Sequence, residues 1–377
     1  MELLNERRLL ELVYGGAVLG AGGGGSIEAG LAAGREALGH GSPRLAHIEE
    51  LPRETLIATL SIVGSMAGAM TEQTPPQHGP ALRRLVEVEK RSIEAVIPSE
   101  VGPQSVTYGW RESALAGTLI VDAPCNGRAH PLGLMGSLGL HRRPSYITST
   151  VAIGGSRSAY TSVEVILRAS ATKASSMVRH NAATSGVPLA VARNPLPASY
   201  VKRHAAAGGL KYAADVGKIV LNEINHGLPR LLERLSKWLG GRILSEGRVD
   251  SASLTETKGF TVGHIRIQEQ DGNESSVSVC NEYLAFQSKG VVLAAFPDLI
   301  TLFDFDSALP LASPEVKPGK RVAAFGVPRA RLKLASTMND VALLRPLERL
   351  LKIPLAGNGM PAPPAVVAPA HRNGRLI

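Results

Sequence analysis

Cysteine is nearly missing from this sequence. Cys125 and Cys280 are the two in 377 residues, too few for a disulfide framework or a four-cysteine zinc site. Aromatic residues are also scarce at 4%, which removes the stacking platforms that single-stranded nucleic acid requires. No apolar run approaches the ~18 residues of a membrane span, and residues 1–8 lack a cationic segment followed by an apolar stretch. These absences argue against nucleic-acid and membrane partners and lead us to expect a cytoplasmic protein with reduced thiols. The ten histidines show no His-Glu-x-x-His or related spacing, so a helical zinc motif is missing too.

What is present suits a two-domain enzyme. The length exceeds one typical domain of ~150 residues, and 44% hydrophobic with 19% charged residues is ordinary for a globular protein. The net charge of +9 comes from scattered Lys and Arg, which fits a solvated basic surface or an acidic small substrate better than a nucleic-acid track.

Along the chain, Asn5 is positioned to cap a helix carrying Leu9, Leu12, Val13 and Ala17. That helix runs into Gly22, Gly23, Gly24 and Gly25, and a second helix is expected over 26–38. Strands over 55–63, 92–97 and 119–123 alternate with helices over 81–90 and 105–115, the mark of an α/β sheet. Beyond residue 155 a helix is expected over 165–178, an apolar stretch over 187–191 and a long helix over 209–226. A further helix buries Leu228, Leu231, Leu232, Leu235 and Trp238 on one face. From residue 241 the pattern turns to strands, over 242–249, 260–267, 275–286 and 291–296, with Asp271-Gly272 and Lys289-Gly290 as turns. The expected fold is an α/β N-terminal domain with a mixed sheet over 1–240 and a β-rich second domain over 241–345. A mostly irregular or disordered tail follows over 346–377, its Pro- and Ala-rich part at 361–370.

Polar residues cluster where apolar strands end: Gly20 to Ser26, Glu100 with Gly102, Cys125 to Pro131, Cys280 to Glu282, and Pro297 with Asp298. A core has no use for such groups, because burying them without partners is costly. Ligands in α/β sheets bind beyond the carboxyl ends of strands, so Glu100 and the trio Cys125, Asn126 and Arg128 are expected to converge. The glycine run can turn backbone N–H groups toward a carboxylate or phosphate at a helix start. It lacks the Gly-Lys-Ser/Thr ending and the preceding strand of a nucleotide loop, and an ATP-binding reading rests on that run alone.

Five segments in register resemble the S-methyl thiohydantoin desulfurase-like family, which occurs near hydantoinase and oxoprolinase genes. They are the run Leu19 to Gly25, Pro98 to Gly102, Val121-Asp122-Ala123 followed by Gly127-Arg128-Ala129 and Pro131, Asn281-Glu282, and Phe296 to Leu299. The resemblance implies an α/β domain followed by a β-rich one, and removal of sulfur from a thiohydantoin-type five-membered ring. The sequence departs from the pattern at Pro124 and Cys125, where an acidic residue and glycine are expected, at His130 in place of an aromatic residue, and at Leu132 in place of an acid.

Replacing sulfur on a ring carbon needs a nucleophile, a base and donors for the anionic intermediate. Glu100 is the candidate base, Arg128 a planar fork of donors, and Asn126, Asn281 and Glu282 the orienting groups. The glycine loop with Ser26, His130 and Asp298 is expected to contact substrate. Cys125 beside His130 suggests either an activated thiolate or two ligands of a divalent metal such as zinc, while an inert buried cysteine is the commoner state. Asp304 and Asp306 are read as a solvated turn. The expected activity is hydrolytic loss of sulfur from, or opening of, a cyclic thioureide or ureide. The rival reading is a noncatalytic subunit bound to a hydantoinase-like partner, and self-association is also open.

Overall fold

A computed structural model describes residues 1–64, 77–156, 158, 160–257 and 260–361. Most of the Pro- and Ala-rich tail lies outside the described residues.

The first sheet has eight strands, β1 (Glu2–Leu3), β2 (Arg44–Ala46), β3 (Leu56–Val63), β4 (Ala95–Pro98), β5 (Leu119–Val121), β6 (Ile147–Gly154), β7 (Val163–Ser170) and β8 (Leu189–Pro197), in the order β1-β2-β5-β4-β3-β8-β6-β7. Strands β2, β5, β4 and β3 run parallel, and the remaining pairings are antiparallel. Helices α1 (Glu6–Leu19), α2 (Ile27–His40), α3 (His78–Glu89), α4 (Trp110–Ala116), α5 (Ala171–Ser185), α6 (Ala198–His204), α7 (Gly209–Glu223) and α8 (Leu228–Leu239) accompany it. The second sheet is wholly antiparallel: β9 (Arg242–Thr257), β10 (Phe260–Glu269), β11 (Glu274–Cys280), β12 (Glu282–Ser288), β13 (Val291–Ala295), β14 (Leu299–Asp304) and β15 (Arg321–Val327), ordered β13-β12-β11-β10-β9-β15-β14. A mixed α/β sheet followed by a β-rich unit is therefore the architecture.

The two sheets share one apolar layer. Leu9, Leu12 and Val13 of α1 and Leu210, Val216 and Val220 of α7 join β3 residues Ala58 and Leu60 to Leu299, Phe303 and Phe325 of the second sheet in a single buried cluster. The approach of α1 to α7 depends on small residues. A Cβ at Gly15 would lie 1.7 Å from Ala213 O, and one at Gly217 equally close to Glu11 O, so larger side chains would push the helices apart. Asn5 caps α1 as expected, its Oδ1 accepting from Arg8 N at 3.0 Å, and Ser26 Oγ accepts from Ala29 N at 3.1 Å at the start of α2.

Four local expectations change. Residues 165–178 are not one helix: β7 runs to Ser170 before α5 begins. Its half-exposed residues alternate with exposed ones, a period of two that marks a strand. Residues 275–286 are not one strand but the hairpin β11–β12, reversing at Asn281, whose φ of 59° is a left-handed conformation that Asn tolerates. Trp238 is 43% exposed rather than buried, its ring tilted 4.9 Å from Tyr212. The segment after residue 345 opens inside α9 (Val341–Leu351) instead of irregular chain, because Leu343, Leu344, Leu347 and Leu351 pack against the β11–β12 hairpin side of the second sheet.

Candidate functional site

Adjacent parallel strands β4 and β5 deliver the first part of the site. Glu100 follows β4, and residues 122–131 follow β5 in an extended buried loop tied back by Cys125 N donating to Pro98 O at 3.0 Å. Glu100 remains partly open, with 16% of its side chain exposed. Its Oε1 accepts from Ser105 Oγ at 3.1 Å and its Oε2 from His130 N at 3.3 Å. The His130 Nε2 lies 3.2 Å from Ser99 O and 3.8 Å from Glu100 Oε2. Burial lowers the imidazole pKa, so the ring is neutral. The carbonyl partner puts its proton on Nε2, and Nδ1 is left with no partner among the described residues.

Arg128 is fully buried on the same loop. Its Nε donates to Ala129 O at 3.1 Å and Nη1 to Pro297 O at 3.2 Å and to Asp298 O, with the guanidinium 4.8 Å from the Phe296 ring centre. These contacts stitch the first sheet to the β13–β14 loop. Nη2 has no partner among the described residues. Desolvation pulls the guanidinium down to about 10, against the opposing charges of Glu282, Asp298 and Glu100. It is cationic at neutral pH.

The second sheet contributes Glu282, at the start of β12 and 3% exposed. Desolvation, then the charge of Glu100, raises its carboxyl well above the ordinary range, with Arg128 opposing, and Oε2 is unpartnered among the described residues. The glycine run lies directly against it. A Cβ at Gly23 would fall 2.2 Å from Glu282 Oε1, and one at Gly24 would meet Gly102 Cα at 2.6 Å and Ser105 Oγ at 3.3 Å. Glycine here is a spacing requirement, because it lets the loop touch both Glu282 and the serine that holds Glu100. Tyr283 N donating to Ala21 O at 2.8 Å and Ser313 N to Gly22 O at 2.9 Å lock the loop to the second sheet.

Glu100, Arg128, His130, Glu282 and the loop Gly22, Gly23, Gly24 and Gly25 thus meet at the seam between the sheets. Asn126 is buried nearby on the same loop, its Nδ2 donating to Met135 O at 2.7 Å while Oδ1 lacks a partner among the described residues. Ser26 serves as the cap of α2. Three candidates are occupied otherwise. Asn281 Oδ1 accepts from Thr261 N at 2.9 Å, so its amide holds the hairpin turn. Asp298 accepts from Arg329 N and Nε at 2.9 and 3.0 Å and from Met360 N at 2.6 Å, which makes it a structural hub. Cys125 lies in an apolar cluster with Ile57, Ile97 and Leu138, its Sγ 3.4 Å from Thr59 Oγ1. Burial pushes its thiol up to about 11, far from the range of an activated thiolate. Cys280 lies in another apolar cluster. Among the described residues no three His, Cys, Asp or Glu side chains gather as metal ligands. No helix among them is long and apolar enough to cross a membrane.

The sequence reading missed Arg193 on β8 and Arg179 on α5. Arg193 is buried, and desolvation lowers its pKa against the charges of Cys125 and Glu100. Arg179 has its guanidinium 4.0 Å from the Phe260 ring centre and donates to Pro131 O at 3.3 Å. A lone arginine ending the apolar run Leu189-Ala190-Val191-Ala192 was the available signal.

Two family models cover most of the chain, the S-Me-THD-like N-terminal domain over residues 7–162 and the S-Me-THD-like C-terminal domain over 169–338. The chain belongs to the S-Me-THD-like family. The division between the two models does not coincide with the division between the sheets: β8, within the C-terminal match, sits between β3 and β6 of the first sheet. No curated protein matches the chain significantly. A crystal structure of a protein from Chromobacterium violaceum is similar at a TM-score of 0.72 with 18% identity, covering 93% of this chain and 97% of that one. That likeness supports the fold. The S-Me-THD-like family name points to desulfurase-like chemistry on S-methyl thiohydantoins.

Proposed function

We propose that this protein is a hydrolase that removes sulfur from a thiohydantoin-like five-membered ring, or opens the related hydantoin-like ring. The observation that carries this reading is the meeting of Glu100 and Glu282 beside Arg128, in unlike environments: one carboxyl is partly open and hydrogen-bonded, the other sealed and pushed toward its neutral form. A sealed carboxyl pushed toward its neutral form beside an open, hydrogen-bonded one is suited to acid and base roles in one reaction. In this scheme Glu100 takes a proton from water as the oxygen attacks the ring carbon bearing sulfur. The negative charge that develops on the ring faces Arg128. The tetrahedral carbon then expels sulfur as Glu282 delivers its proton, and a thiol leaves. The hydroxyl proton passes to the ring nitrogen of an S-methyl ring, or to the departing sulfur of a thione, so that C–S is replaced by C=O. The proton taken by Glu100 returns to Glu282 through water. Methanethiol is the leaving group from an S-methyl ring and hydrogen sulfide from a thione. Asn126 and the neutral His130 orient the ring through their unpartnered Oδ1 and Nδ1 atoms.

The test is methanethiol release from an S-methyl thiohydantoin by the purified protein without a second subunit. Turnover by wild type and its loss in Glu100→Gln support the reading. Inactivity of the wild type alone, with turnover appearing only on addition of a hydantoinase-like protein, favours a partner-subunit role instead.

A further inference from the structure

Of the four strands that end the two sheets, β7 differs from the others. β1 has two residues, β14 is buried along its whole length, and β13 has five residues and joins β12 through a register shift. β7 has eight residues with no Pro or Gly, and it pairs with β6 from Ile147↔Ser170 to Gly154↔Val163 without a shift. Among the described residues no strand pairs with its outer side. A long, regular edge offers a row of unpaired N–H and C=O groups to another chain, and proteins ordinarily blunt such edges. Along β7, Glu164, Ile166 and Arg168 share the exposed face, while Val165 and Leu167 share the half-buried one. Ile166 is 39% exposed. Glu164 Oε1 accepts from Arg84 Nε at 3.0 Å and Arg168 Nη2 donates to Val88 O, so both charges are held on the α3 side of the edge.

We propose that β7 pairs with β7 of a second copy of this chain across a two-fold axis at Ile166, joining the two eight-stranded sheets into one. A two-fold interface must be self-complementary, and the order Val163-Glu164-Val165-Ile166-Leu167-Arg168-Ala169 is so about its centre. In antiparallel pairing there, Glu164 of each copy faces Arg168 of the other, Val165 faces Leu167, Val163 faces Ala169 and Ile166 meets itself. Opposite charges directly across a strand pair favour a register and like charges oppose it. Moving the register by two residues sets Ile166 against Glu164 in one direction and against Arg168 in the other. Moving it by one sets the exposed face of one copy against the half-buried face of the other. The charge pattern therefore selects one register, and a strand from an unrelated protein would need no such symmetry.

Sedimentation of the purified full chain is expected to show a dimer at about 10–100 µM, as suits a small edge-to-edge interface. Ile166→Lys puts two like charges together at the axis and is expected to weaken the dimer by about tenfold or more. Arg168→Glu is expected to weaken it about three- to tenfold, and the double variant Glu164→Arg with Arg168→Glu to recover wild-type association, because the facing pairs are again opposite in sign. If the two charges served only their contacts with α3, the double variant, which loses both, would be the worse of the two. Ile166→Cys is expected to give a disulfide-linked dimer with copper phenanthroline, since directly opposed cysteines on antiparallel strands lie within the span of that bond. Wild type, whose Cys125 and Cys280 are buried, is expected to stay unlinked. A wild-type chain that is monomeric at about 100 µM overturns the proposal without any variant having to fold. So does a dimer that Ile166→Lys leaves intact, a double variant weaker than Arg168→Glu, failure of Ile166→Cys to cross-link, or association through this edge only with an added hydantoinase-like protein.

Discussion

A cleft of about 570 Å³ opens against the middle strands β10, β9 and β15 of the second sheet, lined by Glu246, Arg248, Asp250, Gln268, Phe305 and Arg321, while the seam between the sheets is narrow. The larger space is chemically ordinary. Arg248 donates to Gly319 O, Arg321 sits 4.1 Å from the Phe305 ring centre, and both arginines are exposed. In the seam, by contrast, Glu282 Oε2, Arg128 Nη2, His130 Nδ1 and Asn126 Oδ1 are all buried without partners among the described residues. Charges in water interact weakly and charges out of water strongly, so the power to stabilise a reacting group belongs to the tighter region. Size locates room for a ligand; desolvation locates chemistry.

The sharpest way to break that contrast is to neutralise one carboxylate in each region. Glu100→Gln is expected to lower kcat for methanethiol release by about 10²- to 10⁴-fold, the usual worth of a general base, with the melting temperature little changed. Glu246→Gln, in the outer cleft, is expected to leave kcat within about twofold, since no step is routed through an exposed, solvated group. Equal losses from the two substitutions would show that the seam is not the reaction centre.

Glycines sharpen the same comparison on the level of packing. Gly23→Ala forces a methyl into Glu282 at a separation no real contact tolerates, and overpacking of this kind costs about 1–3 kcal/mol. The loop and Glu282 must shift, so activity falls with stability. Gly319→Ala in the outer cleft meets no atom within 4 Å. Its cost is the left-handed backbone alone, about 1 kcal/mol, with activity retained. Denaturant melts and turnover of both variants decide whether the glycine loop is spaced for Glu282 or merely tolerates it.

The pH dependence of stability separates Glu282 from a carboxylate outside the seam. Glu282 is raised above its ordinary value of 4.5, so the unfolded chain loses this proton first as pH rises. Its contribution is complete below about 4.5 and is lost as pH climbs toward the folded value. Glu282→Gln is expected to flatten that decline. Asp340 behaves oppositely. Arg142 Nε at 2.5 Å and His141 Nε2 at 2.7 Å hold its carboxyl below the ordinary range. Its contribution is present above about 3.8 and vanishes as pH falls. Asp340→Asn is expected to lower the melting temperature at neutral pH and to converge on wild type in acid. Parallel curves for the two variants would refute the assignment of opposite environments.

How much of this was legible in the sequence follows from the range of the interactions. Helices α1, α2, α7 and α8 and strands β3, β4 and β5 announced themselves through local periodicity and caps such as Asn5 and Ser26. The convergence of Glu100 with the loop carrying Arg128 was readable because neighbouring parallel strands end on one side of a sheet. The role of Asn281 was not, because a single residue in a left-handed turn reversed what looked like one continuous strand. Asp298 looked like a pocket residue, yet its partners Arg329 and Met360 lie 31 and 62 residues away, beyond any local pattern. Arg193 escaped because its burial comes from β6 and α5, elements distant in the chain that the fold brings beside β8.

The smallest effect is expected at the residue that drew most attention in the sequence. Cys125 lies on the loop that carries Arg128 and His130, but its side chain turns into the apolar cluster of Ile57, Ile97 and Leu138 with Thr59 as its hydrogen-bond partner. Its thiol, pushed up to about 11, stays protonated at neutral pH, and protonated sulfur is a poor nucleophile. Iodoacetamide at pH 7.5 is expected to leave native protein unlabelled at Cys125, as read by peptide mass spectrometry, and to label it once the protein is unfolded. Cys125→Ala is expected to keep kcat within about threefold while costing about 1–2 kcal/mol of stability through the small cavity it creates. Rapid alkylation of the native protein with matching loss of activity would move the reaction from the carboxyl pair to the thiol. That outcome would require the loop after β5 to open away from Ile57 and Leu138, and exposure of those apolar neighbours would appear in the same experiment as increased binding of a hydrophobic dye.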